Sequence, residues 1–394
     1  MTTETLIDVE KEFSEVKTCE DARKLFPSTE NCTYLDSAHY SHFSLDARRR
    51  LIDAVDGFTY LNKNLSLINF QTAERLRKKC AELVHAHSDD IFLTSSTTHG
   101  LNVFANGIDL KAGDTVVFAD SEFPAVVYPW MNQETTRGIK HLMIPSDKGK
   151  IKISDIESAI KKVNAKVLTI SSVEFLGFRN DLKTISEICA ASNCYLVVDA
   201  IQSMGACPTY VDEFNIDFLA AGSQKWMMSP AGVGFAYIPK KIREKVQPTY
   251  VTTTSINYDF KNFLNYDLKF REDAIVYENS TLNCLGMIGM ESAVELFLKI
   301  GVENIFNHIL KLQDIFIKEI EGSNFIVESD LTPINRSNIL IFSHKDASKN
   351  EEVQKDLEQR KIFVALREGY LRLAAHLFNN EEDILTLTKA LKEY

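Results

Sequence analysis

The sequence has no long apolar run and no excess of basic residues. No stretch of about 18 apolar residues, the length of a membrane span, occurs, and the N-terminus MTTETLIDVEKEFSEVK is acidic. We therefore expect neither a membrane span nor a secretory signal peptide. The formal net charge is -11, from 55 acidic and 44 basic residues, whereas nucleic-acid binding needs clustered lysine and arginine. These absences predict a cytoplasmic protein that binds neither membranes nor nucleic acid.

Paired cysteines and the common glycine-rich phosphate motifs are also missing. None of the seven cysteines belongs to a CxxC pair, so we predict no metal site and interpret them as reduced, packed thiols. The sequence contains neither GxGxxG nor GxxxxGK. It also lacks the GxSxG motif that carries the nucleophile of α/β hydrolases, which argues against that class.

Short β-branched segments alternate with amphipathic segments in the first two thirds of the chain. The strand candidates are 91–94, 115–120, 141–144, 165–171 and 194–200. The helix candidates are 71–87, which precedes the first strand, and 97–108, 154–163 and 182–192, which lie between the strands. Because a parallel strand pair needs a crossover connection, this alternation predicts an α/β fold with a mostly parallel sheet.

The rhythm changes near residue 285. One long helical pattern covers 285–320 and is followed by the strand candidates 338–344, 362–366 and 370–376. We therefore predict a large three-layer α/β/α domain at 31–284 and a small C-terminal α+β domain at 285–394. Residues 1–30 are expected to be an N-terminal arm that packs on the small domain or on a partner, and the polar, aromatic stretch 251–270 is expected to be a loop.

Three segments place polar chemistry beside predicted strands. Asp199 ends an apolar strand, where open α/β sheets bind ligands, although aspartate also caps helices there. Residues 95–98, Ser-Ser-Thr-Thr, lie between a strand and a helix, where hydroxyls and free amides bind anions or simply cap the helix. Lys225 lies within the apolar stretch FLAAGSQKWMMSPAGVGFAYI (218–238). Such a site lowers the pKa of a lysine, as a Schiff-base amine requires, unless the side chain extends to the surface.

The order of these features is typical of enzymes that use pyridoxal phosphate (PLP), which needs an amine, an acid and phosphate donors. The motifs YLDSAHYS (34–41), VDAIQSMGACP (198–208), AGSQKW (221–226) and LAAHLFNNEED (373–383) resemble those of the class-V aminotransferases of PLP fold type I. This family includes cysteine desulfurases, selenocysteine lyases, isopenicillin N epimerase-like proteins and kynureninases. The resemblance extends over nearly the whole chain.

The resemblance implies roles for residues that would bind the cofactor. Lys225 would form the Schiff base and move protons at the substrate Cα, and Asp199 would keep the pyridine nitrogen protonated. Gln202 would hydrogen-bond the ring hydroxyl, and Phe123 would stack on the ring. The residues that the resemblance places near the phosphate are Ser96, Thr97, Thr98, Ser223, Gln224 and Thr281.

The resemblance also implies a homodimer and a site for the substrate carboxylate. In relatives, the threonine that corresponds to Thr281 comes from the neighbouring subunit, although Thr281 would also suit a helix N-cap. Arg372 matches the arginine that binds the substrate carboxylate, and Arg367 competes for this role. We therefore expect a small amino acid as the substrate.

Two departures from the family pattern narrow the expected chemistry. Phe123 stands where cysteine desulfurases carry a histidine, and phenylalanine can stack but cannot transfer a proton. The segment 357–371 lacks the cysteine that sulfur-transferring relatives hold before the arginine. Both argue against an iron–sulfur-cluster desulfurase.

Glu174 replaces a family asparagine and either acts near the cofactor or simply ends a strand, and the role of His99 stays open.

These observations predict an enzyme that acts on the Cα of a small amino acid. The Ser-Gln-Lys motif at 223–225 is similar to the motif of alanine–glyoxylate aminotransferases and favours transamination. The EFP…YPW segment and the REGYLRLAAHLFN segment favour a β-eliminating C–S or C–Se lyase. An epimerase or a kynureninase-like hydrolase is the alternative within the family. A PLP-binding sensor or scaffold without turnover is the alternative from another class.

Overall fold

The structure, a computed structural model, describes residues 8–257, 261, 262, 264 and 266–394. Its helices are α1 Val9–Glu15, α2 Cys19–Arg23, α3 Leu45–Tyr60, α4 Leu65–Val84, α5 Thr97–Gly107, α6 Pro124–Arg137, α7 Ile153–Val163, α8 Leu182–Ala191, α9 Lys240–Arg243, α10 Cys284–Ile300, α11 Val302–Glu319, α12 Asn350–Gln359 and α13 Glu381–Leu391. Its strands are β1 Thr33–Tyr34, β2 Ile91–Thr94, β3 Thr115–Ala119, β4 Lys140–Ile144, β5 Val167–Ser171, β6 Tyr195–Asp199, β7 Phe218–Gly222, β8 Gly234–Tyr237, β9 Phe325–Val327, β10 Leu340–His344, β11 Ile362–Phe363, β12 Ala365–Arg367 and β13 Tyr370–Leu373.

A seven-stranded sheet in the order β2-β8-β7-β6-β5-β3-β4 forms the centre of the fold. The pairs from β4 to β7 are parallel, and only β8 runs antiparallel to its two neighbours β7 and β2. Along β6, Leu196 and Val198 pack into one apolar cluster while Val197 packs into another. Because both faces are covered, the strands read as continuous apolar runs. The predicted three-layer α/β/α arrangement with a mostly parallel sheet is confirmed.

A second, antiparallel sheet of four strands, β12-β13-β10-β9, lies in the C-terminal part. It shares an apolar cluster with side chains of α11, α12 and α13, which is the predicted α+β arrangement. The domain limits at 31–284 and 285–394 stay a prediction. The single helical pattern expected over 285–320 is wrong in one respect, because Gly301, with φ of 85°, separates α10 from α11. Glycine accepts this backbone angle at little steric cost.

The N-terminal residues contact the C-terminal part of the chain. Arg23 at the end of α2 forms a 2.8 Å ion pair with Asp383, and its guanidinium also donates to the carbonyl oxygen of Phe378. The first seven residues of the predicted arm 1–30 lie outside the described residues, as do 258–260, 263 and 265 within the predicted loop 251–270. In the described part of the chain, no helix has the length and apolar character needed to cross a membrane.

The parallel strands bring their carboxyl ends to one edge of the central sheet. Asp199 ends β6, Lys225 follows β7, and Glu122 and Glu174 come shortly after β3 and β5. Arg372 of β13 approaches the same edge, because its guanidinium donates to the carbonyl oxygen of Phe175 over 3.2 Å. Open α/β sheets bind ligands at this edge.

Candidate active site

A cavity of about 890 Å³ opens at this edge of the sheet. Its wall contains aromatic, acidic and basic side chains, including Lys225, Gln202, Phe123, Glu122, Arg367 and Arg372. Three of the predicted cofactor residues, Phe123, Gln202 and Lys225, and both predicted substrate arginines therefore share one cavity. Its volume is within the range typical of small-molecule sites.

Lys225 presents its amine to this cavity. The Nζ atom lies 5.4 Å from the centre of the Phe123 ring. Burial lowers the pKa of Lys225 from 10.5 to about 8, while the charge of Asp199 acts in the opposite direction. The nearby positive charges of Arg372 and Arg367 lower this pKa further. The residue is partly buried, and it lines the cavity.

Asp199 and Gln202 are held in place by short backbone and side-chain contacts. One oxygen of Asp199 accepts the N–H of Ile201 at 2.9 Å, and burial raises the pKa of the carboxyl to about 6. The side-chain oxygen of Gln202 accepts from the indole of Trp226 at 2.9 Å. Its amide nitrogen donates to the carbonyl oxygen of Ala38. Trp226, the residue after Lys225, thus holds the side chain of Gln202.

The N-terminus of α5 carries the predicted hydroxyl residues, but their side chains differ in surroundings. Ser96 is the N-cap and accepts the N–H of His99 at 3.1 Å. The buried Thr97 hydroxyl accepts the N–H of Gly222 at 2.8 Å, which fixes α5 to the end of β7. Thr98 is exposed in the first turn. The His99 ring accepts the N–H of Ser95 at 3.3 Å, so this histidine supports the loop.

None of the six predicted phosphate residues is part of the cavity wall. The buried Ser223 hydroxyl lies 2.9 Å from the carbonyl oxygens of both Pro230 and Val233, so its single proton is directed to the backbone. Gln224 is partly buried, and its carbonyl oxygen accepts the N–H of Ser41. Thr281 is exposed. The sequence therefore predicts more phosphate donors than this chain gathers around Lys225.

Arg372 is 2% exposed and has a carboxylate partner within the chain. Its Nη2 atom donates to Asp36 at 3.0 Å, and its buried Nε has no acceptor among the described residues. Arg367 lines the same cavity, and its guanidinium donates to the carbonyl oxygen of Leu366. Both arginines thus stay near Lys225, and Asp36 is a positioning partner that the motif alone did not identify.

The sequence motifs assigned no role to Glu122 and left the role of Glu174 open. Glu122 is 7% exposed and Glu174 is fully buried, next to the carboxyl ends of β3 and β5. Burial is the main cause that raises the pKa of each carboxyl, and their mutual repulsion adds to that of Glu174. The strand-end rule that selected Asp199 would have selected Glu122 as well, because it follows the apolar strand TVVFA.

The residues of the cavity fit the chemical needs of PLP. A primary amine with a lowered pKa faces the cavity, the buried acid Asp199 lies close enough to act on its charge, and the exposed Phe123 ring offers a stacking face. Among the described residues, no group of histidine, cysteine, aspartate or glutamate could hold a metal ion. The donor set is therefore suited to an aldehyde cofactor with an aromatic ring.

Comparisons with known proteins agree with this fit. The family model described as aminotransferase class-V matches residues 63–370. The chain is 26% identical over 368 residues to an uncharacterized aminotransferase, YcbU, of Bacillus subtilis, covering 93% of this chain and 95% of the relative. It is also 26% identical over 404 residues to a probable cysteine desulfurase of Methanothermobacter thermautotrophicus, covering 95% and 97%.

Solved structures share the fold at low sequence identity. A cysteine desulfurase from Thermococcus onnurineus matches with a TM-score of 0.85 at 24% identity, over 96% of this chain and 98% of the other. The cystine C–S lyase C-DES, in complex with its product cysteine persulfide, matches with a TM-score of 0.85 at 21% identity, over 94% and 99%. The family match covers most of the sequence, so the chain belongs to the class-V aminotransferase family of pyridoxal-phosphate-dependent enzymes.

Proposed function

We propose that the protein cleaves the bond between Cβ and sulfur or selenium in a small amino acid, with Lys225 as the cofactor anchor. The observation that carries this proposal is the position of the Lys225 amine, with its lowered pKa, in a cavity that also contains Arg372. The named activities of several relatives, probable cysteine desulfurases, support sulfur-containing amino acids as the substrate class.

Each residue of the cavity has a chemical task in this proposal. When bound, PLP stabilises negative charge at the Cα of an amino acid. Lys225 would hold the cofactor and, as a free amine, would take the proton from Cα. Its lowered pKa favours the neutral amine that this step needs. Asp199 would keep the pyridine nitrogen protonated, and Gln202 would bind the ring hydroxyl.

Arg372 binds the α-carboxylate of the substrate. Its unpaired, buried Nε supports this role, because a buried N–H without an acceptor is costly until a ligand supplies one. Asp36 holds the guanidinium in a fixed orientation through its 3.0 Å ion pair. Arg367 lies on the same wall and adds positive potential near the amine.

Transamination is the second candidate. It is supported by the relative described as an aminotransferase and by the resemblance of the Ser-Gln-Lys segment at 223–225 to alanine–glyoxylate aminotransferases. In this reaction Lys225 would move the Cα proton to the cofactor, and the substrate would keep its β-substituent. In both reactions Ser96, Thr97, Thr98 and Gln224 would lie near the phosphate of the cofactor.

A homodimer that completes the site is part of the proposal. Thr281 is exposed, as a residue that serves a neighbouring subunit must be. Large apolar side chains are also exposed around the connection from α3 to α4, namely Phe58, Tyr60, Leu61, Leu67 and Phe70. Such exposed apolar groups are typical of protein interfaces.

A single-turnover reaction separates the two candidates. The cofactor-loaded protein is mixed with a stoichiometric amount of cysteine, selenocysteine, cystine, alanine, glutamate or kynurenine, and the cofactor spectrum and products are followed together. Release of sulfide, persulfide or selenide with recovery of the starting spectrum supports the lyase. One keto acid per site with conversion to the pyridoxamine form supports the aminotransferase and contradicts the lyase. The Lys225→Ala variant is the control for both.

A further inference from the structure

Glu122 and Glu174 form a pair of buried carboxyls beside the candidate active site. Glu122 also lines the cavity, whereas Glu174 lies behind it and is fully buried. They come from the ends of different strands and are joined through Ser171, which donates to Glu122 and whose carbonyl oxygen accepts from Asn180, the donor to Glu174. The charge of Glu122 acts on Glu174. Two ionised carboxylates are acceptors only, so contact between them requires a proton.

The hydrogen bonds around the pair are unequal and indicate which carboxyl holds the proton. Glu122 accepts the backbone N–H of Ser171 at 2.8 Å and the hydroxyl of Ser171 at 2.6 Å. Glu174 accepts one bond, from the side-chain amide of Asn180 at 2.7 Å, while its buried Oε2 has no donor among the described residues. Donors stabilise the ionised form of Glu122. A proton on Oε2 of Glu174, directed to Glu122, would satisfy the orphaned oxygen.

The surrounding charges also favour one proton on the pair. The negative charge of Asp199 acts on both carboxyls and disfavours a second ionisation. Positive charge approaches through Arg372, which donates to the backbone oxygen next to Glu174, and through Lys225, which acts on Asp199. The other charged or titratable groups on the cavity wall are His39, Asp120, Lys148, Arg367, Glu368 and Tyr370.

We propose that Glu122 and Glu174 share one proton and that Glu122 exchanges it with the reacting groups in the cavity. Glu174 is the positioning residue that stores the proton, and Glu122 is the residue that transfers it. The pair thus supplies a proton-transferring group to a cavity wall in which Phe123 cannot transfer a proton. When Glu122 gives the proton to a base in the cavity, the pair carries two negative charges until a proton returns, and no electrons are exchanged.

The proton-sharing half of the proposal is independent of the cofactor. Infrared spectra of the full-length protein, with and without cofactor, are recorded at neutral pH, where an ordinary carboxyl is ionised. We expect the carbonyl band of a protonated carboxylic acid, and we expect it to shift when the protein contains ¹³C-labelled glutamate but not when it contains ¹³C-labelled aspartate. A neutral-pH spectrum without this band, or a band that follows labelled aspartate, would overturn the proposal.

Two variants assign the band. Glu174→Gln keeps an oxygen for Asn180 and an N–H for Glu122, so it preserves both contacts but removes the shared proton. We expect the band to disappear while the melting temperature stays close to that of the wild type. Asp120→Asn is the matched control, because Asp120 is an exposed carboxyl on the same cavity wall, and the band should persist. An undiminished band in Glu174→Gln would contradict the pair.

The use of the proton in catalysis rests on the proposed function and needs a second measurement. In Glu174→Gln, Glu122 loses a neighbouring acid and keeps a neutral donor, so its pKa falls. We therefore expect one limb of the pH profile of kcat to move to lower pH by more than one unit, with little change in the KM of the substrate. An unchanged profile would overturn the transfer by Glu122 even if the infrared band is present. Failure of the wild type to react would refute the proposed function and leave the infrared result standing.

Discussion

The lowered pKa of Lys225 is a property that can be measured directly. With a pKa of about 8 instead of 10.5, about 9 per cent of this amine is neutral at pH 7, compared with about 0.03 per cent for an ordinary lysine. The neutral fraction is therefore roughly 300-fold larger. Because only the neutral amine attacks an aldehyde, Lys225 should react far faster than other lysines at neutral pH.

The assay is pH-dependent reductive methylation of the cofactor-free protein, followed by mass spectrometry of the Lys225 peptide. We expect a labelling midpoint near pH 8 for Lys225. Lys148 is the internal control, because it lines the same cavity but its ion pair with Glu328 raises its pKa. The variant Asp199→Asn removes a negative charge that favours the ammonium form, so it should lower the midpoint of Lys225 further.

The labelling midpoint of Lys225 should be lower in Asp199→Asn than in the wild type. In both proteins it should be lower than the midpoint of Lys148. A Lys225 midpoint at the value of an ordinary lysine would refute the reasoning that burial controls this amine. A higher midpoint in Asp199→Asn would show that the charge of Asp199 does not act on Lys225 as the structure indicates.

Three further predictions concern stability and substrate binding. Arg77→Ala should lower the free energy of unfolding, measured by urea denaturation, by about 3–5 kcal/mol, because it leaves the buried carboxylate of Glu278 unpaired. Arg75→Ala should lower it by under about 1 kcal/mol, because the side chain of Arg75 is 49% exposed. Equal losses would contradict this use of burial. Burial lowers the pKa of His376 to about 4, so its contribution to stability is complete above pH 6.5 and is lost as the pH falls through 4. The wild type should lose about 3 kcal/mol over this range that His376→Leu does not lose, and parallel pH profiles of unfolding would refute this. Arg372→Lys should lower kcat/KM about 100-fold, since a single ammonium cannot keep both Asp36 and the substrate carboxylate, and unchanged steady-state kinetics would exclude this arginine from the site.

The sequence predicted those parts of the fold that local patterns determine. The strand at 91–94 has the predicted bounds, β3 ends one residue before its predicted end, and β6 is one residue shorter than predicted at each end. These strands could be predicted because buried parallel strands are continuous runs of apolar residues between polar turns. The strand-end position of Asp199 followed from the same pattern. The break at Gly301 was missed, since the apolar period continues on both sides of it.

Contacts between distant residues could not be predicted in this way. The pairing of Arg372 with Asp36 joins residues from opposite ends of the chain, and the pairing of Glu122 with Glu174 joins two separate strand ends. Ser223 has the composition of a phosphate donor, yet its hydroxyl serves backbone carbonyls that come close only in the folded chain. Local sequence specifies the residue type, whereas the tertiary fold decides which atoms remain available.

The covalent attachment of PLP to Lys225 is the central claim. The measurement is borohydride reduction of the cofactor-loaded protein, followed by peptide mapping with mass spectrometry. We predict one reduced pyridoxyl adduct per chain, located on Lys225 and absent from Lys225→Ala. An adduct on another lysine, or an equal yield in the Lys225→Ala variant, would contradict the assignment.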